Sequence, residues 1–255
     1  YNEEMAYHGA PAGNMGIAWV GPSLMLYGTD EQKSRFIPRI TGADDWWCTL
    51  YSEPGAGSDL AALQTRATRD GDDYIVNGQK IWTSGGHLAD WGWIAARTDP
   101  DAPKHKGITM FMLDMKSPGV TVRPLINIAN RHGFNEVFFE DVRVPATQVV
   151  GEVNRGWYHM AVALDFERSG IQAYAGGRRT VERLVSLAKS HPELAERRPS
   201  VKYELADRVV EVNVGTFLAY RVATMQARGL VPNHEASASK LFGSEMGQRI
   251  ATTGM

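Results

Sequence analysis

Tyr51-Ser52-Glu53-Pro54-Gly55-Ala56-Gly57-Ser58-Asp59 follows a short β-type run, Trp46–Tyr51, and brings a proline and two glycines into one turn. Pro54 fixes one backbone dihedral, while Gly55 and Gly57 admit conformations closed to other residues. Successive N–H groups in such a turn can form a concave anion site, and Ser58 adds a hydroxyl donor. A diphosphate lying against backbone amides is the chemistry suggested, although an ordinary tight turn fits the same residues. The dinucleotide fingerprint of the Rossmann kind is excluded, because the third glycine and the surrounding βαβ unit are missing.

On both sides of this turn the texture changes. Residues 1–45 contain a helical piece, Thr29 to Ile40, with Thr29 or Asp30 as cap, Glu31 in the first turn, and Phe36 and Ile40 on one face. From Trp46 to about Val150 short β-type runs alternate with turn chemistry: Leu63–Arg69, Trp91–Arg97, Gly107–Leu113, Val120–Pro124 and Phe134–Val144. Tyr74-Ile75-Val76 and Gln79 to Thr83 flank Asn77-Gly78, a pair that signals a hairpin. Many short strands at this spacing predict an antiparallel barrel or sandwich. Trp46, Trp47, Trp91 and Trp93 are expected in its packing. After Gly156 the pattern turns helical. Thr180–Lys189 is one helix, Pro192 and Pro199 interrupt the chain, and Leu205, Val209, Val212, Phe217 and Tyr220 trace an apolar stripe on a second.

The composition sets limits. The 255 residues carry 27 Lys plus Arg against 29 Asp plus Glu, a net charge of −2. No basic face advertises a nucleic-acid partner. Cys48 is the only cysteine, so an intrachain disulfide framework is excluded and a reducing compartment is expected. No apolar run approaches the ~20 residues of a membrane span. Both ends read as cuts through a longer protein. The seven histidines show no paired ligand spacing, so no metal site is expected. His87 is expected to be a hydrogen-bonded structural residue, Glu53 and Asp59 to orient the turn, and Lys104-His105-Lys106 to form an exposed loop.

A second segment, Gln79-Lys80-Ile81-Trp82-Thr83-Ser84-Gly85-Gly86, offers a flat indole face beside two hydroxyls. A tricyclic flavin needs stacking on one side and donors for its ring heteroatoms, and a tryptophan packed in a barrel core fits the same residues. Taken together, the two segments resemble those of the acyl-CoA dehydrogenase family. Ser52–Asp59 is similar to that family's first signature, with Ser where Thr is more usual, and Asn77–Gly85 to its second flavin segment. Phe138-Phe139-Glu140-Asp141-Val142-Arg143-Val144-Pro145 resembles the end of its β-domain, and Gly151-Glu152 to Gly156-Trp157 the entry into its C-terminal helices. The resemblance covers essentially the whole chain.

It implies an α+β fold: part of an N-terminal helical domain (1–45), a central antiparallel β-barrel that binds flavin (46–150), and part of a C-terminal helical bundle (151–255). It also implies FAD as cofactor and desaturation of an acyl-CoA thioester to the trans-2-enoyl-CoA, with a Glu base taking the α-proton and flavin N5 the β-hydride. Carried over by position, Thr49, Leu50, Tyr51, Ser52, Gly57 and Ser58 would meet the flavin. Trp82, Thr83 and Ser84 would flank its ring, and Ser58 would also border the thioester. A carboxylate suits the base if an apolar pocket raises its pKa. Most members place that glutamate further downstream. Leu164-Asp165-Phe166-Glu167-Arg168 resembles the alternative location used by isovaleryl-CoA dehydrogenase, which gives Glu167 the catalytic role and Arg168 an approach to coenzyme A.

One departure stands out. Where most members end the first long C-terminal helix with Arg-x-x-Phe-Gly, whose arginine reaches a neighbouring subunit's flavin, this chain reads Ala188-Lys189-Ser190-His191-Pro192-Glu193. The resemblance implies a tetramer, homomeric or completed by a paralogous subunit; the missing arginine speaks against the symmetric homotetramer and for the paralogous partner, and the wording of Phe134–Phe139 resembles actinobacterial members acting on steroid side-chain thioesters. An electron-transfer flavoprotein is the implied electron acceptor. The implied location is the bacterial cytoplasm, or the mitochondrial matrix in a eukaryote. The competing expectations are a non-catalytic partner subunit and an oxygen-using relative, an acyl-CoA oxidase or flavin monooxygenase.

Overall fold

Helix formation begins where capping chemistry allows it. The hydroxyl of Thr29 accepts from the Gln32 N–H at 3.2 Å, and the Gln32 side chain accepts from the Thr29 N–H at 3.1 Å. This reciprocal capping box starts helix α3, Asp30–Thr41. The Gln32 amide also donates to the carbonyls of Thr147 and Val149, both at 2.8 Å. Phe36 and Ile40 are buried as expected, and Phe36 meets Trp47 and Trp91 edge-on at 5.7 and 5.0 Å. The computed structural model describes residues 1–10, 15–167, 170–230 and 232–255, the side chains of 162–167 and 195 excepted.

The chain divides into two compact units, Gly13–Leu164 and Tyr1–Ala12 with Asp165–Met255. The first holds an eight-stranded sheet: β1 (Trp47–Leu50), β2 (Arg66–Asp70), β3 (Asp73–Lys80), β4 (Trp91–Arg97), β5 (Ile108–Asp114), β6 (Val120–Ile126), β7 (His132–Pro145) and β8 (Val149–Val150). Its order is β6-β7-β3-β2-β4-β5-β8, with β1 paired to β4. The ladders are antiparallel apart from β1 against β4 and a single β2–β4 bridge. Strands β4 and β5 are buried on both faces. Ile94, Ala96, Phe111 and Leu113 point into a core with Val76, Val137, Phe139 and Val142. Trp93, Ala95, Met110 and Met112 face a second core with Val20, Leu24, Phe36 and Ile40. Double burial explains why these two strands read as nearly continuous apolar runs.

Two expectations are corrected here. Asn77-Gly78 is no hairpin turn but lies inside β3, where the register against β7 shifts between Val76 and Gly78. Gly78 has φ +148°, and a Cβ there would stand 2.6–2.8 Å from atoms of Thr65, so glycine serves a bulge and a close approach. The hairpin is formed instead by Gly71-Asp72, which joins β2 to β3 with Asp70 opposite Asp73. Trp46 departs from the packing role expected of it: Trp47 and Trp93 are buried, whereas Trp46 is about half exposed, at 47%.

In the second unit α5 (Ile171–Ser190), α7 (Val201–Ala227) and α8 (Asn233–Gly254) pack around Tyr174. A Cβ at Gly215 would lie 2.1 Å from its ring, and Gly243 lies on the ring's hydroxyl end. The hydroxyl donates to the Ser239 carbonyl at 2.5 Å. The apolar stripe expected on α7 is only half right. Leu205 and Val212 are buried, but Val209, Phe217 and Tyr220 are exposed. The inward face continues through Gly215, Ala219 and Val222, because small residues admit the Tyr174 ring. Helix α5 starts nine residues before the expected Thr180, its beginning hidden by Gly176-Gly177, poor helix formers. A Cβ at Gly177 would stand 2.9 Å from the terminal methyl of Met246, a flexible side chain. Among the described residues no helix is long and apolar enough to cross a membrane.

Candidate cofactor site

The glycine loop leaves β1 and closes on itself at once. Glu53 N–H donates to the Ala56 carbonyl at 2.9 Å and Ala56 N–H to the Glu53 carbonyl at 3.0 Å, with Pro54-Gly55 at the tip. Beyond the turn the loop is open. The N–H groups of Gly55, Gly57 and Ser58 make no hydrogen bond among the described residues. A Cβ at Gly55 or Gly57 would meet nothing within 4 Å. Neither glycine has a positive φ, which corrects the expectation that both serve backbone conformations closed to other residues. Their contribution is free space in front of unpaired donors.

Behind the loop lies a polar anchor. The buried Glu53 carboxylate accepts from the N–H groups of Gln64 and Thr65 at 2.6 and 2.9 Å and from the Lys80 ammonium at 2.8 Å. Lys80, fully buried, also donates to the Tyr51 carbonyl at 2.9 Å. Burial pushes the Lys80 ammonium down to about 8, against the upward pull of Glu53. At Glu53 burial pulls upward, but Lys80 and the backbone donors outweigh it and hold the carboxyl below its usual range. With three donors on one carboxylate, the pair is ionised at neutral pH. Glu53 thus orients the turn, as expected. Asp59 makes an exposed ion pair with Lys104, between the end of the glycine loop and the Lys104-His105-Lys106 loop.

The second segment sits against the first. Ile81 N–H donates to the Ser52 carbonyl at 2.8 Å. Trp82 follows with φ +60°, an uncommon conformation for a bulky side chain, and its indole is 60% exposed. Thr83 is held from the other side: its N–H donates to the Asn135 carbonyl at 3.0 Å and its own carbonyl accepts from the Asn135 amide at 2.9 Å. Its hydroxyl is buried and finds no partner among the described residues. Ser84 is exposed and Ser52 half-buried. Asn135 also meets His132 Nε2 at 2.7 Å and His87 Nδ1 at 3.2 Å, and the two imidazoles stack at 3.8 Å. His87 is therefore a hydrogen-bonded framework residue, as expected.

The structure thus brings Thr49, Leu50, Tyr51, Ser52, Gly57, Ser58, Trp82, Thr83 and Ser84 together in one unit. Glu167 ends helix α4, Gly156–Glu167. Its side chain, and Arg168 altogether, lie outside the described residues. Unpaired loop amides, cleared space, an exposed indole and a buried hydroxyl without a partner fit a flavin dinucleotide: a diphosphate for the donors, a flat ring for the indole. Lys80 and Asn135 escaped sequence reasoning. Lys80 had a signal, since it shares the strand parity of the buried Tyr74 and Val76, and a lysine on a core-facing position needs a buried partner.

Comparison with known proteins decides the family. Residues 48–142 match the acyl-CoA dehydrogenase middle domain, and residues 154–255 match the acyl-CoA dehydrogenase C-terminal domain. The chain belongs to the acyl-CoA dehydrogenase family. Acyl-CoA dehydrogenase FadE34 of Mycobacterium tuberculosis is 41% identical over 91% of this chain and 32% of its own length. The crystal structure of the ChsE4-ChsE5 complex from Mycobacterium tuberculosis matches with a TM-score of 0.87 and 36% identity, over 99% of this chain and 66% of that one. An acyl-CoA dehydrogenase from Geobacillus kaustophilus matches at TM-score 0.86 and 32% identity, covering 99% of this chain and 69% of its own. The acyl-CoA dehydrogenase fold expected from the sequence is thereby established, on a chain spanning a third of FadE34 and about two thirds of the matched structures.

Proposed function

We propose that this chain is a catalytic acyl-CoA dehydrogenase subunit, which binds FAD and desaturates the α–β bond of an acyl-CoA thioester to the trans-2-enoyl-CoA. The observation that carries this reading is the set of unpaired amides at Gly55, Gly57 and Ser58 beside an exposed Trp82 and a partnerless Thr83 hydroxyl. Bound FAD supplies the two-electron acceptor for the hydride that leaves the β-carbon.

The chain's own residues do the remaining work. Main-chain groups of Thr49, Leu50, Tyr51 and Gly57, with the Ser52 and Ser58 hydroxyls, hold the cofactor's polar length. Trp82, Thr83 and Ser84 flank its ring. Ser58 and Arg168 meet the coenzyme A thioester, and Glu167 takes the α-proton. Donors aimed at the thioester carbonyl stabilise the charge that develops there. Residues 1–45, 46–150 and 151–255 are then the helical, flavin-binding and second helical portions of the enzyme.

A paralogous subunit completes the assembly. Two features favour it over a self-sufficient tetramer: the family's trans-acting arginine has no counterpart in residues 188–193, and the ChsE4-ChsE5 relative is a complex of two different proteins. Electrons pass on to an electron-transfer flavoprotein. Glu167→Gln tests the base directly. Anaerobic stopped-flow reduction of the bound flavin by its acyl-CoA substrate is expected to slow by about 10³-fold or more with FAD content unchanged. Undiminished reduction would remove Glu167 from the reaction.

A further inference from the structure

The turn at 53–56 closes on itself, so its placement depends on what holds Tyr51, Ser52 and Glu53 from behind. Lys80 spans two of these, reaching the Tyr51 carbonyl at 2.9 Å and Glu53 Oε1 at 2.8 Å. The next residue, Ile81, reaches the third through the Ser52 carbonyl at 2.8 Å, and Trp82 follows directly. The end of β3 is therefore the part against which the glycine loop is registered, and it is also where the indole segment begins.

Global stability is a poor reason for such a pair. Desolvating an ammonium and a carboxylate offsets most of their attraction, and packed apolar side chains of similar volume often serve as well. Burial here goes far enough to push Lys80 down to about 8 even with Glu53 in contact. What an apolar pair could not provide is direction: one ammonium bonded both to the Tyr51 main-chain carbonyl and to the Glu53 carboxylate, while that carboxylate holds two further backbone amides, of Gln64 and Thr65.

We infer that Lys80 and Glu53 form a positioning pair that fixes the glycine loop relative to Trp82-Thr83 and thereby sets the protein's affinity for flavin. The inference rests on the flavin reading above. Neither side chain need touch the cofactor; each acts through the main chain of residues 51–53.

The test uses the full protein, stripped of flavin and titrated with FAD by fluorescence quenching, beside thermal melts of each apo form. Lys80→Met leaves a buried carboxylate without its cation and is expected to lower both melting temperature and FAD affinity. The double variant Lys80→Met with Glu53→Gln has no uncompensated charge. It is expected to melt above Lys80→Met, since no charge is left uncompensated, yet to bind FAD at least about tenfold more weakly than wild type, because Lys80 no longer holds the Tyr51 carbonyl. Glu53→Asp keeps the charges but draws the carboxylate back by one methylene, and is expected to lose affinity with a smaller drop in melting temperature than Lys80→Met. Wild-type FAD affinity in the double variant or in Glu53→Asp would overturn the inference, as would a loss that merely tracks melting temperature across all three. If wild type itself binds no FAD, the flavin reading fails instead.

Discussion

At Gly57 a methyl group would encounter no protein atom within 4 Å, and the backbone is not left-handed. The bare protein therefore has no need of glycine there. Replacing it with alanine restricts the unfolded chain and is expected to raise apo stability by up to about 0.5 kcal/mol. The cofactor-bound protein should respond in the opposite direction. A hydrogen bond to a charged acceptor is worth about 1.5–3 kcal/mol. A methyl group that keeps a diphosphate from one loop amide forfeits a bond of that size, which weakens FAD binding about ten- to a hundredfold. Denaturant unfolding of apo wild type and Gly57→Ala measures the first quantity, and FAD titration of the same preparations measures the second. Unchanged FAD affinity would refute the argument that the space before the loop amides exists for a ligand. A clear loss of apo stability would show that the glycine is needed by the fold.

Gly78→Ala should behave in the reverse way: φ +148° and a Cβ 2.7 Å from the Thr65 Cα predict a loss of about 3 kcal/mol in apo unfolding, and a loss below about 1 kcal/mol would contradict the close approach. Gly215→Ala should loosen the helical unit, since its methyl would press on the Tyr174 ring at 2.1 Å; a lower melting temperature with unchanged FAD affinity is expected. His159 gives the acid dependence. Burial, helped by Arg155 and opposed by Glu152, lowers its pKa below the ordinary value, so the unfolded chain takes up the proton first as pH falls. The stability it contributes is therefore full above about pH 6.5 and is lost as pH falls through the lower native value. His159→Phe, keeping a ring against Tyr27, should flatten that part of the stability–pH curve, and an unchanged curve would count against it.

How far the sequence carried depended on whether local chemistry or distant packing decided each feature. The helix start at Thr29 or Asp30 and the β4 run Trp91–Arg97 were legible because their signals lie within a few residues. Asn77-Gly78 misled for a physical reason. Glycine there answers to Thr65, thirteen residues back in the chain, rather than to its own neighbours. Phe217 and Tyr220 fitted a helical stripe by period, yet Gly215 and Ala219 form the inward line because the Tyr174 ring fills the space beside them. At the site, the residues of the loop fit a tight turn and those of the indole segment a packed tryptophan equally well, and only their joint resemblance to the family's two segments pointed to a cofactor. The anchor between them was not legible, since the Lys80–Glu53 contact exists only once β3 runs past the loop.

The most direct measurement mixes the FAD-loaded protein anaerobically with a panel of acyl-CoA thioesters, alone and with a paralogous subunit. Flavin absorbance is followed and the thioester products are weighed. The expected result is bleaching of the oxidised flavin by at least one thioester, with conversion of that thioester to an enoyl-CoA two hydrogens lighter. A fully loaded flavin that stays oxidised with every thioester, with and without the partner, would contradict a catalytic acyl-CoA dehydrogenase subunit.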